Sequence, residues 1–324
     1  MRLGVIAAFI APLVAALPAT AAEPYPTKPI SIVVAFPPGG PTDFIARTVA
    51  QSMQKTLGQQ LNVENVSGAG GTVGVGRVAR ANPDGYSLLV HHIGMATAPT
   101  LYRKLQFDPM RDFIPLGAIA DVPQTIVARA DFPSQSVKEM LAYVKAQGDK
   151  LTYANAGIGS ASHLCGLLFM QALGTRMTTV PYKGTVPAMT DLIGGRVDLL
   201  CDQTTQTTPH INAGRIKAYA ATTSTRIPTM PNLPTLHGSG LKDFHVAIWH
   251  VLYAPIGTPK EAVDRLAKAL QAALTDPVVK QRFADLGTEP VSLERATPEA
   301  ARAMLKSEID RWAPVIKAAG QYAD

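Results

Sequence analysis

The stretch Ile30-Ser-Ile-Val-Val-Ala-Phe36, followed by Pro37-Pro-Gly-Gly-Pro41, decides the fold class of this chain. The apolar run is typical of a strand that is buried on both faces, and the proline and glycine residues end it. Thr42 and Asp43 are residue types that cap helices. Beyond them, apolar residues repeat at helical spacing at Ile45, Val49, Met53 and Leu57. The stretch therefore predicts a strand, a tight loop and a helix.

The same order continues along the first third of the chain. Residues 61–66 and 86–91 are typical of strands, and residues 73–81 between them are typical of a helix. Because strands that alternate with helices usually pair in parallel, this order predicts a parallel sheet that is covered by helices.

A second set of strands and helices begins near residue 113. Residues 113–119 and 122–129 predict two consecutive strands, and strands then alternate with helices as far as residue 222. The remaining residues predict a long strand at 244–254, a short strand at 289–293 and three helices. These last elements are too few to bury a separate core, so we expect them to complete the first sheet.

The predicted fold class is therefore α/β with two lobes, the second inserted into the first. We expect lobe 1 to comprise residues 23–121 and 223–324, and lobe 2 to comprise residues 122–222. Hinges are expected near Asp121 and Thr222. Ligands of open α/β sheets bind beyond the carboxyl ends of the strands, and in a two-lobed protein these ends face each other across a cleft that closes.

Residues 1–22 have the features of a secretory signal peptide. Arg2 provides a positive start, residues 3–17 form an apolar run, and residues 18–22 are mostly small. The run is shorter than the roughly 20 residues that span a bilayer, and Pro12 interrupts it. We therefore expect cleavage after Ala21 or Ala22, a mature protein in the periplasm, and no later membrane-spanning segment.

The charge distribution argues against nucleic acid as a partner. The formal net charge is +6, but the Lys and Arg residues are scattered and form no run. A mildly basic surface that attracts anionic solutes accounts for this charge. Charged residues make up 17% of the chain and hydrophobic residues 47%, which is typical of a globular protein with a large core.

The chain has two cysteines, Cys165 and Cys201. Export to an oxidising compartment permits a disulfide between them, and the sequence leaves that pairing open. Their spacing gives no sign of a disulfide, so we favour two small buried packing residues.

Motifs for catalysis or metal binding are weak or absent. Residues Gly74-Val-Gly-Arg-Val-Ala79 match the dinucleotide pattern G-x-G-x-x-A, but they lie inside a predicted helix and no acid follows at the required distance. The motifs C-x-x-C, H-E-x-x-H and G-x-S-x-G do not occur. His91 and His92 are adjacent on a strand and point to opposite faces, so they do not easily share one ion. The sequence predicts no enzyme, cofactor or metal site, and we expect a histidine in the cleft to donate a hydrogen bond.

Four loops at predicted strand ends share one composition. Each combines small or hydroxyl-bearing residues with free backbone N–H groups before a predicted helix, and none contains Lys or Arg. They cover residues 37–43, 67–72, 155–163 and 202–208. Helix N-termini carry about +0.5 of an elementary charge and bind anions. Together these loops predict a shared site that holds a carboxylate with amides, hydroxyls and water.

Short motifs spread nearly from end to end form a recognisable set. In the first part of the chain they are Tyr25-Pro-Thr-Lys-Pro-Ile30, Phe36-Pro-Pro-Gly-Gly-Pro-Thr-Asp43, Asn65-Val-Ser-Gly-Ala-Gly-Gly71 and Ala81-Asn-Pro-Asp-Gly-Tyr86. Further on they are Gly159-Ser-Ala-Ser-His-Leu164, Val180-Pro-Tyr-Lys-Gly184, Asp191-Leu-Ile-Gly-Gly195 and Ala254-Pro-Ile-Gly-Thr-Pro259. With this set, the chain resembles the Bug-type solute receptors of tripartite tricarboxylate transporters. The resemblance implies a type II Venus-flytrap periplasmic binding protein whose loops at residues 38–43 and 157–162 grip one carboxylate, partly through water.

The expected ligand-binding residues lie in the gripping loops and on the distal side of the cleft. The gripping loops and their flanks supply Pro38, Gly39, Gly40, Thr42, Asp43, Ala156, Gly157, Gly159, Ser160, Ala161 and His163. The distal candidates are His92, Met95, Asp202, Gln203 and Trp249. Thr42 and Ser160 are the expected hydroxyl donors. Asp202 would repel a carboxylate unless it accepts from a hydroxyl, an amine or a bound water, so we expect it to have a positioning role.

The sequence thus predicts an extracytoplasmic receptor that binds a small mono- or dicarboxylate, aliphatic or aromatic, and delivers it to integral-membrane transporter subunits. We expect a monomer. Two alternatives remain open: a sensory receptor that presents the carboxylate to a signalling partner, and an enzyme on the same fold. The identity of the carboxylate is also open.

Overall fold

The computed structural model describes residues 25–320 and 322–323. The predicted signal peptide at residues 1–22 lies outside the described residues. Within the described part of the chain, no helix combines the length and the apolar character that crossing a membrane requires.

The first half of the sheet consists of strands that alternate with helices. Its elements are β1 (Ile30–Val34), α1 (Pro41–Leu57), β2 (Leu61–Asn65), α2 (Thr72–Ala79), β3 (Ser87–His92) and α3 (Gly94–Leu101). β1 pairs in parallel with both β2 and β3, which confirms the predicted parallel arrangement. Helix α3 was not predicted, because its small residues and the internal Pro99 give it no apolar stripe.

The second half has the same alternation. Its elements are α4 (Val137–Gln147), β5 (Thr152–Asn155), α5 (Ala161–Leu173), β6 (Thr178–Pro181), α6 (Thr185–Ile193), β7 (Leu199–Gln203), α7 (Thr204–Asn212) and β8 (Ile216–Ala221). β5 pairs in parallel with β6 and β7. Strand β7 runs two residues beyond the predicted end at Cys201, so Asp202 and Gln203 form its carboxyl end.

One long strand, β4 (Phe113–Arg129), joins the two halves. The predicted break into two strands is wrong, because β4 is continuous through Asp121, whose carboxylate is paired with Arg295. Irregular register between Pro115 and Gly117 and between Ala118 and Ala120 bends it. The strand order is β2-β1-β3-β9-β4-β7-β5-β6, with β8 also paired to β4, where β9 is Ala247–Pro255.

The C-terminal part adds one strand and three helices beside the first half of the sheet. β9 pairs antiparallel with β3 and β4, and it is followed by α8 (Lys260–Thr275), α9 (Pro277–Asp285) and α10 (Pro298–Ala319). The apolar face of α8, which includes Leu266 and Leu270, is buried in the core. The predicted strand at residues 289–293 is wrong: Pro290 forms only a single bridge with Ala120.

The chain passes between the halves at two adjacent places. The N–H of Thr222 donates to the carbonyl of Gln124 at 2.9 Å, and its hydroxyl donates to the carbonyl of Val246 at 2.6 Å. Residues 223–246 remain beside the second half, since Thr235 bridges to Ala221 of β8. The chain then returns to the first half along β9.

Cys165 and Cys201 form a disulfide, so our interpretation of them as unpaired packing residues is wrong. Their Cα atoms are 6.2 Å apart although 36 positions separate them in sequence. The two positions meet because α5 packs on β7, a contact that sequence spacing does not reveal. The disulfide therefore ties α5 to β7, the strand whose carboxyl end contains Asp202.

Candidate functional site

A small pocket lies beyond the carboxyl ends of β1, β3, β5 and β7, between the two halves of the sheet. Several expected residues line it: Gly40, Thr42, His92, Ala156, Ser160, Ala161, Asp202 and Gln203. Its volume is about 20 Å³. Since that is room for about one water molecule, a larger ligand enters only after the two sides have separated.

The pocket is lined by further residues that the sequence analysis missed: Phe36, Pro37, Pro41, Ser162, Thr185 and Val186. The first three belong to the same loop as Gly40. Thr185 and Val186 begin α6 directly after the motif Val180-Pro-Tyr-Lys-Gly184. Small and hydroxyl-bearing residues between a strand and a helix were the signal used for the other loops, and Gly184 and Thr185 provide it here too.

The N-termini of four helices converge on this pocket. α1, α5 and α6 contribute lining residues from their first turns, and Gln203 is the N-cap of α7. The N-caps Gly40, Gly184 and Gln203 provide no side-chain hydrogen bond to their helices. The first N–H groups of these helices are therefore not capped by the N-cap side chain. Among the residues described, the lining contains no Lys or Arg.

Ser160 and Ser162 order the start of α5. Ser160 Oγ accepts the N–H of His163 at 3.2 Å and lies 3.1 Å from Ser162 Oγ. Ser162 Oγ in turn accepts the N–H of Ala156 at 2.8 Å. When Ser162 donates to Ser160, the hydroxyl hydrogen of Ser160 remains for a ligand in the pocket.

The hydroxyl of Thr42, expected to donate to the ligand, lies against the ring of His250 instead. His250 Nδ1 lies 3.2 Å from the carbonyl of Ile248, and a carbonyl only accepts, so Nδ1 carries the hydrogen. His250 Nε2 is then an acceptor for the Thr42 hydroxyl at 3.3 Å. Burial lowers the pKa of His250 to about 3, which keeps the ring neutral. Thr42 therefore offers its backbone N–H to the pocket rather than its hydroxyl hydrogen.

His92 lines the pocket as a neutral donor. Its Nδ1 accepts the N–H of Gly94 at 3.0 Å, so the ring hydrogen of the neutral form is on Nε2. Burial lowers the pKa of His92 well below its usual value, and the neighbouring His91 and His250 lower it further. His92 therefore stays uncharged near neutral pH and presents an N–H group.

Asp43 shapes the loop rather than lining the pocket. Its carboxylate accepts the N–H of Gly39, the amide of Asn65 and the guanidinium of Arg47. Burial by itself would raise the pKa of Asp43, but these hydrogen bonds outweigh it, and the pKa is lowered. The ionised Asp43 thus holds the loop before α1 in place.

Asp202 is the lining carboxyl group. It is 1% exposed, and its Oδ1 accepts the N–H of Gln203 at 2.8 Å. Among the described residues, none is a hydrogen-bond partner of Oδ2. Burial raises the pKa of Asp202 to about 7, against the opposing effects of the Gln203 N–H and the nearby Thr185 hydroxyl. The Thr185 hydroxyl hydrogen is donated to Gln206 Oε1 at 2.6 Å, so it does not satisfy Oδ2.

The other expected residues do not line this pocket. Pro38 and Gly39 are exposed on the loop, and Gly157 and Gly159 line neighbouring cavities. His163 lies in the first turn of α5, where its Nδ1 accepts the N–H of Gly159.

Met95 and Trp249 also lie elsewhere, because both belong to the core. Met95 is fully buried in the core, and Trp249 is 5% exposed and donates from Nε1 to Glu308 at 3.1 Å. An apolar residue near a strand end does not show in sequence which way it points.

Comparison with known proteins identifies the family. Residues 45–321 match the model of the tripartite tricarboxylate transporter family receptor. The structure is similar to that of the periplasmic binding protein BugD, with a TM-score of 0.90, 52% identity and coverage of 93% of this chain and 100% of that one. MatC of Rhodopseudomonas palustris, solved with bound malate, has a TM-score of 0.87 and 39% sequence identity. The match covers 90% of this chain and 100% of MatC.

A further R. palustris protein, solved with adipate, has a TM-score of 0.87 and 34% identity, over 91% of this chain and 98% of that one. The expected resemblance and the two-lobed α/β periplasmic binding protein fold are thereby confirmed. The chain belongs to the receptor family of the tripartite tricarboxylate transporters.

Proposed function

We propose that this protein is an extracytoplasmic receptor that captures a small mono- or dicarboxylate in the cleft and delivers it to the membrane subunits of a tripartite tricarboxylate transporter. It acts in the periplasm after removal of residues 1–22, as a monomer, and it releases its ligand unchanged. The observation that carries the proposal is the convergence of four helix N-termini on a pocket whose described lining contains no Lys or Arg.

The geometry explains why an anion binds reversibly there. Each helix N-terminus contributes about 0.3–1 kcal/mol to a negative charge at an exposed site, and more where water is excluded. Ser160, the Nε2–H of His92 and uncapped N–H groups add donors to this field. The bound malate and adipate of two relatives support a carboxylate as the ligand.

A binding screen tests this proposal. The mature protein is melted with a panel of mono- and dicarboxylates that includes malate and adipate, and hits are measured by calorimetry. A ligand at 100 times its Kd raises the free energy of unfolding by about 2.7 kcal/mol. Chromatography of the ligand after prolonged incubation should recover it intact. Turnover in proportion to protein concentration would instead support an enzyme.

The lobe boundaries predicted from the sequence belong to this proposal. We place the outgoing crossing at Asp121–Gln124 on β4, where the pairing partners of that strand change from β9 to β7 and β8. The return crossing is better placed at Val246 than at Thr222, since residues 223–246 stay beside the second half. Thr222 bonds to both crossings and so lies at the hinge.

Tyr102 links the two lobes across the cleft, and its removal should favour opening. Its hydroxyl oxygen lies 2.7 Å from the carbonyl oxygen of Ala69 in the first lobe and 2.9 Å from that of Ile158 in the second, so its single hydrogen is shared between acceptors on opposite sides. A net hydrogen bond contributes about 0.5–1.5 kcal/mol. Tyr102→Phe should therefore weaken dicarboxylate binding several-fold in calorimetry and enlarge the ligand-free radius of gyration in small-angle scattering.

Tyr25→Phe is the matched control for that variant. It removes a similar bond, from the Tyr25 hydroxyl to the carbonyl of Gly85 at 2.6 Å, within the first lobe alone. Its affinity should equal that of the wild type. Equal affinities for all three proteins would mean that Tyr102 does not hold the cleft closed.

Ser160→Ala should weaken carboxylate binding at least about tenfold. The variant removes a hydroxyl bond to a charged group, which contributes about 1.5–3 kcal/mol, and each tenfold change in Kd is about 1.4 kcal/mol. Ser160 is also the N-cap of α5, so some stability is lost as well. Calorimetry at a temperature far below melting separates the two effects.

Ser136→Ala controls for the loss of a helix cap. Ser136 caps α4 by accepting the N–H of Glu139 and does not line the pocket. This variant should lose comparable stability and keep wild-type affinity. If Ser160→Ala binds as tightly as Ser136→Ala, the carboxylate is held elsewhere.

A further inference from the structure

The carboxyl group of Asp202 poses a problem for an anion receptor. It lies on the pocket wall at the end of β7, 1% exposed, with Oδ2 unpartnered among the residues described. The bond from the Gln203 N–H fixes Oδ1 and leaves Oδ2 as the free oxygen of the group. Because Asp202 and Ser160 both line this pocket, a carboxylate that is held by Ser160 lies close to Asp202.

Two carboxylates that share a buried site do not both ionise, because each raises the pKa of the other. A cation beside Asp202 would remove the conflict, but the described lining contains none. Burial already raises the pKa of Asp202 to about 7 in the unliganded protein. A second negative charge beside Asp202 would raise this pKa further and favour the protonated carboxyl group.

Tyr153 and His92 do not supply the missing charge. On the neighbouring β5, burial raises the pKa of Tyr153, which therefore stays neutral. Across the pocket on β3, His92 is neutral for the reasons given above. His163 lies in the first turn of α5, with its Nδ1 facing the Gly159 N–H. The part of β4 that pairs with β7, from Gln124 to Ala128, has no titratable side chain.

On α6 and α7, which also pack against β7, the titratable residues lie in the last turn of each helix. These are Asp191 and His210. Asp191 is bonded to Tyr182 and Arg196, away from the helix starts that line the pocket.

We propose that Asp202 binds the ligand in its protonated form, donating from Oδ2 to a ligand carboxylate, so that the receptor takes up one proton with each anion. This proposal rests on the proposed carboxylate-binding function. It adds the protonated Asp202 to the helix N-termini as a second determinant of carboxylate affinity. The proton comes from water onto Oδ2 during binding and returns to water on release, and no other bond changes. Protonation turns Oδ2 from an unpartnered acceptor into a donor to the ligand carboxylate. The affinity of the receptor for the ligand therefore depends on pH.

Calorimetry with malate and adipate between about pH 6.5 and pH 9 tests the proposal. Both probes are fully ionised dianions over most of this range, and titrations in buffers of different ionisation enthalpy count the protons bound. We expect uptake that approaches one proton per ligand above pH 8. The affinity of the wild type should fall at least about tenfold between pH 7 and pH 9.

Asp202→Asn is the decisive variant, and Asp131→Asn is its control. The asparagine is nearly isosteric with aspartate and always presents an N–H donor. The affinity of the variant for these ligands should therefore be independent of pH and should exceed that of the wild type at pH 9. Ligand binding should cause no proton uptake at this site. The variant should also melt higher than the wild type at pH 8, because the raised pKa of Asp202 costs stability as pH rises through about 7. Asp131 is exposed and its pKa is lowered, so Asp131→Asn should keep the full pH dependence.

Each outcome decides the matter. Wild-type binding without proton uptake, or Asp202→Asn with unchanged pH dependence, would overturn the proposal while leaving carboxylate binding intact. Loss of binding in Asp202→Asn at every pH, with its fold retained, would show that the ionised group accepts from a ligand hydroxyl or ammonium. Failure of every carboxylate to bind the wild type would instead overturn the proposed function. If Asp202→Asn does not fold, the proton count on the wild type still decides.

Discussion

The diamide of a dicarboxylate that binds this protein should bind at least about a hundredfold more weakly than the dicarboxylate. The helix N-termini around the pocket favour negative charge, which the amide lacks. Hydrogen bonds to a charged group contribute about 1.5–3 kcal/mol against about 0.5–1.5 for neutral pairs. Losing that difference in two bonds, together with the helix fields, reaches the roughly 2.8 kcal/mol that a hundredfold change requires. Competition calorimetry measures such a weak ligand.

The monoamide is the internal control, because it has nearly the same shape and keeps one carboxylate. It should bind more tightly than the diamide and more weakly than the diacid. A diamide that binds as tightly as the diacid would show that the pocket recognises shape and polarity rather than charge.

Reduction of the Cys165–Cys201 disulfide should lower the free energy of unfolding by about 4 kcal/mol. The bond closes a loop across 36 positions, and the chain-entropy relation gives this magnitude for a loop of that length. Both cysteines are fully buried, so the protein must be unfolded in reductant and refolded before comparison. Urea titrations of the oxidised and reduced wild type measure the difference.

That comparison keeps both sulfur atoms in the core and changes only the bond between them. The double variant Cys165→Ala/Cys201→Ala should be at least as unstable as the reduced protein, since it also loses packing. Equal urea midpoints for oxidised and reduced protein, with reduction verified by mass, would contradict the prediction. The reduced wild type should also bind carboxylates more weakly than the oxidised protein, because the disulfide joins α5 to the end of β7.

The elements that carry a strong periodic signal were predicted well. The apolar run of β1 and the helical spacing from Ile45 to Leu57 were sufficient to place the loop before α1 at a strand end. Helix α3 and the continuity of β4 were missed for local reasons, since α3 lacks an apolar stripe and the polar Asp121 interrupts an apolar run. Asp121 is tolerated there because Arg295 pairs with it, and the two are far apart in sequence.

The candidate site was predicted as loops more accurately than as side chains. Small and hydroxyl-bearing residues before helices indicated Gly40, Ser160 and Gln203 as candidates, and all three line the pocket. The direction of a side chain depends on partners that sequence does not show. The Glu308 that bonds to Trp249 and the His250 that receives the Thr42 hydroxyl are examples of such partners.

The most direct measurement of the central claim is a crystal structure of the mature protein grown with malate or adipate. A carboxylate of the ligand should lie between the first turns of α1 and α5, within hydrogen-bonding distance of Ser160 Oγ and of at least one uncapped N–H group. The two lobes of the protein should enclose the ligand, with the Tyr102 hydroxyl bonded across the cleft to the carbonyl of Ile158. A ligand bound outside this pocket, or held there by a Lys or Arg side chain, would contradict the account.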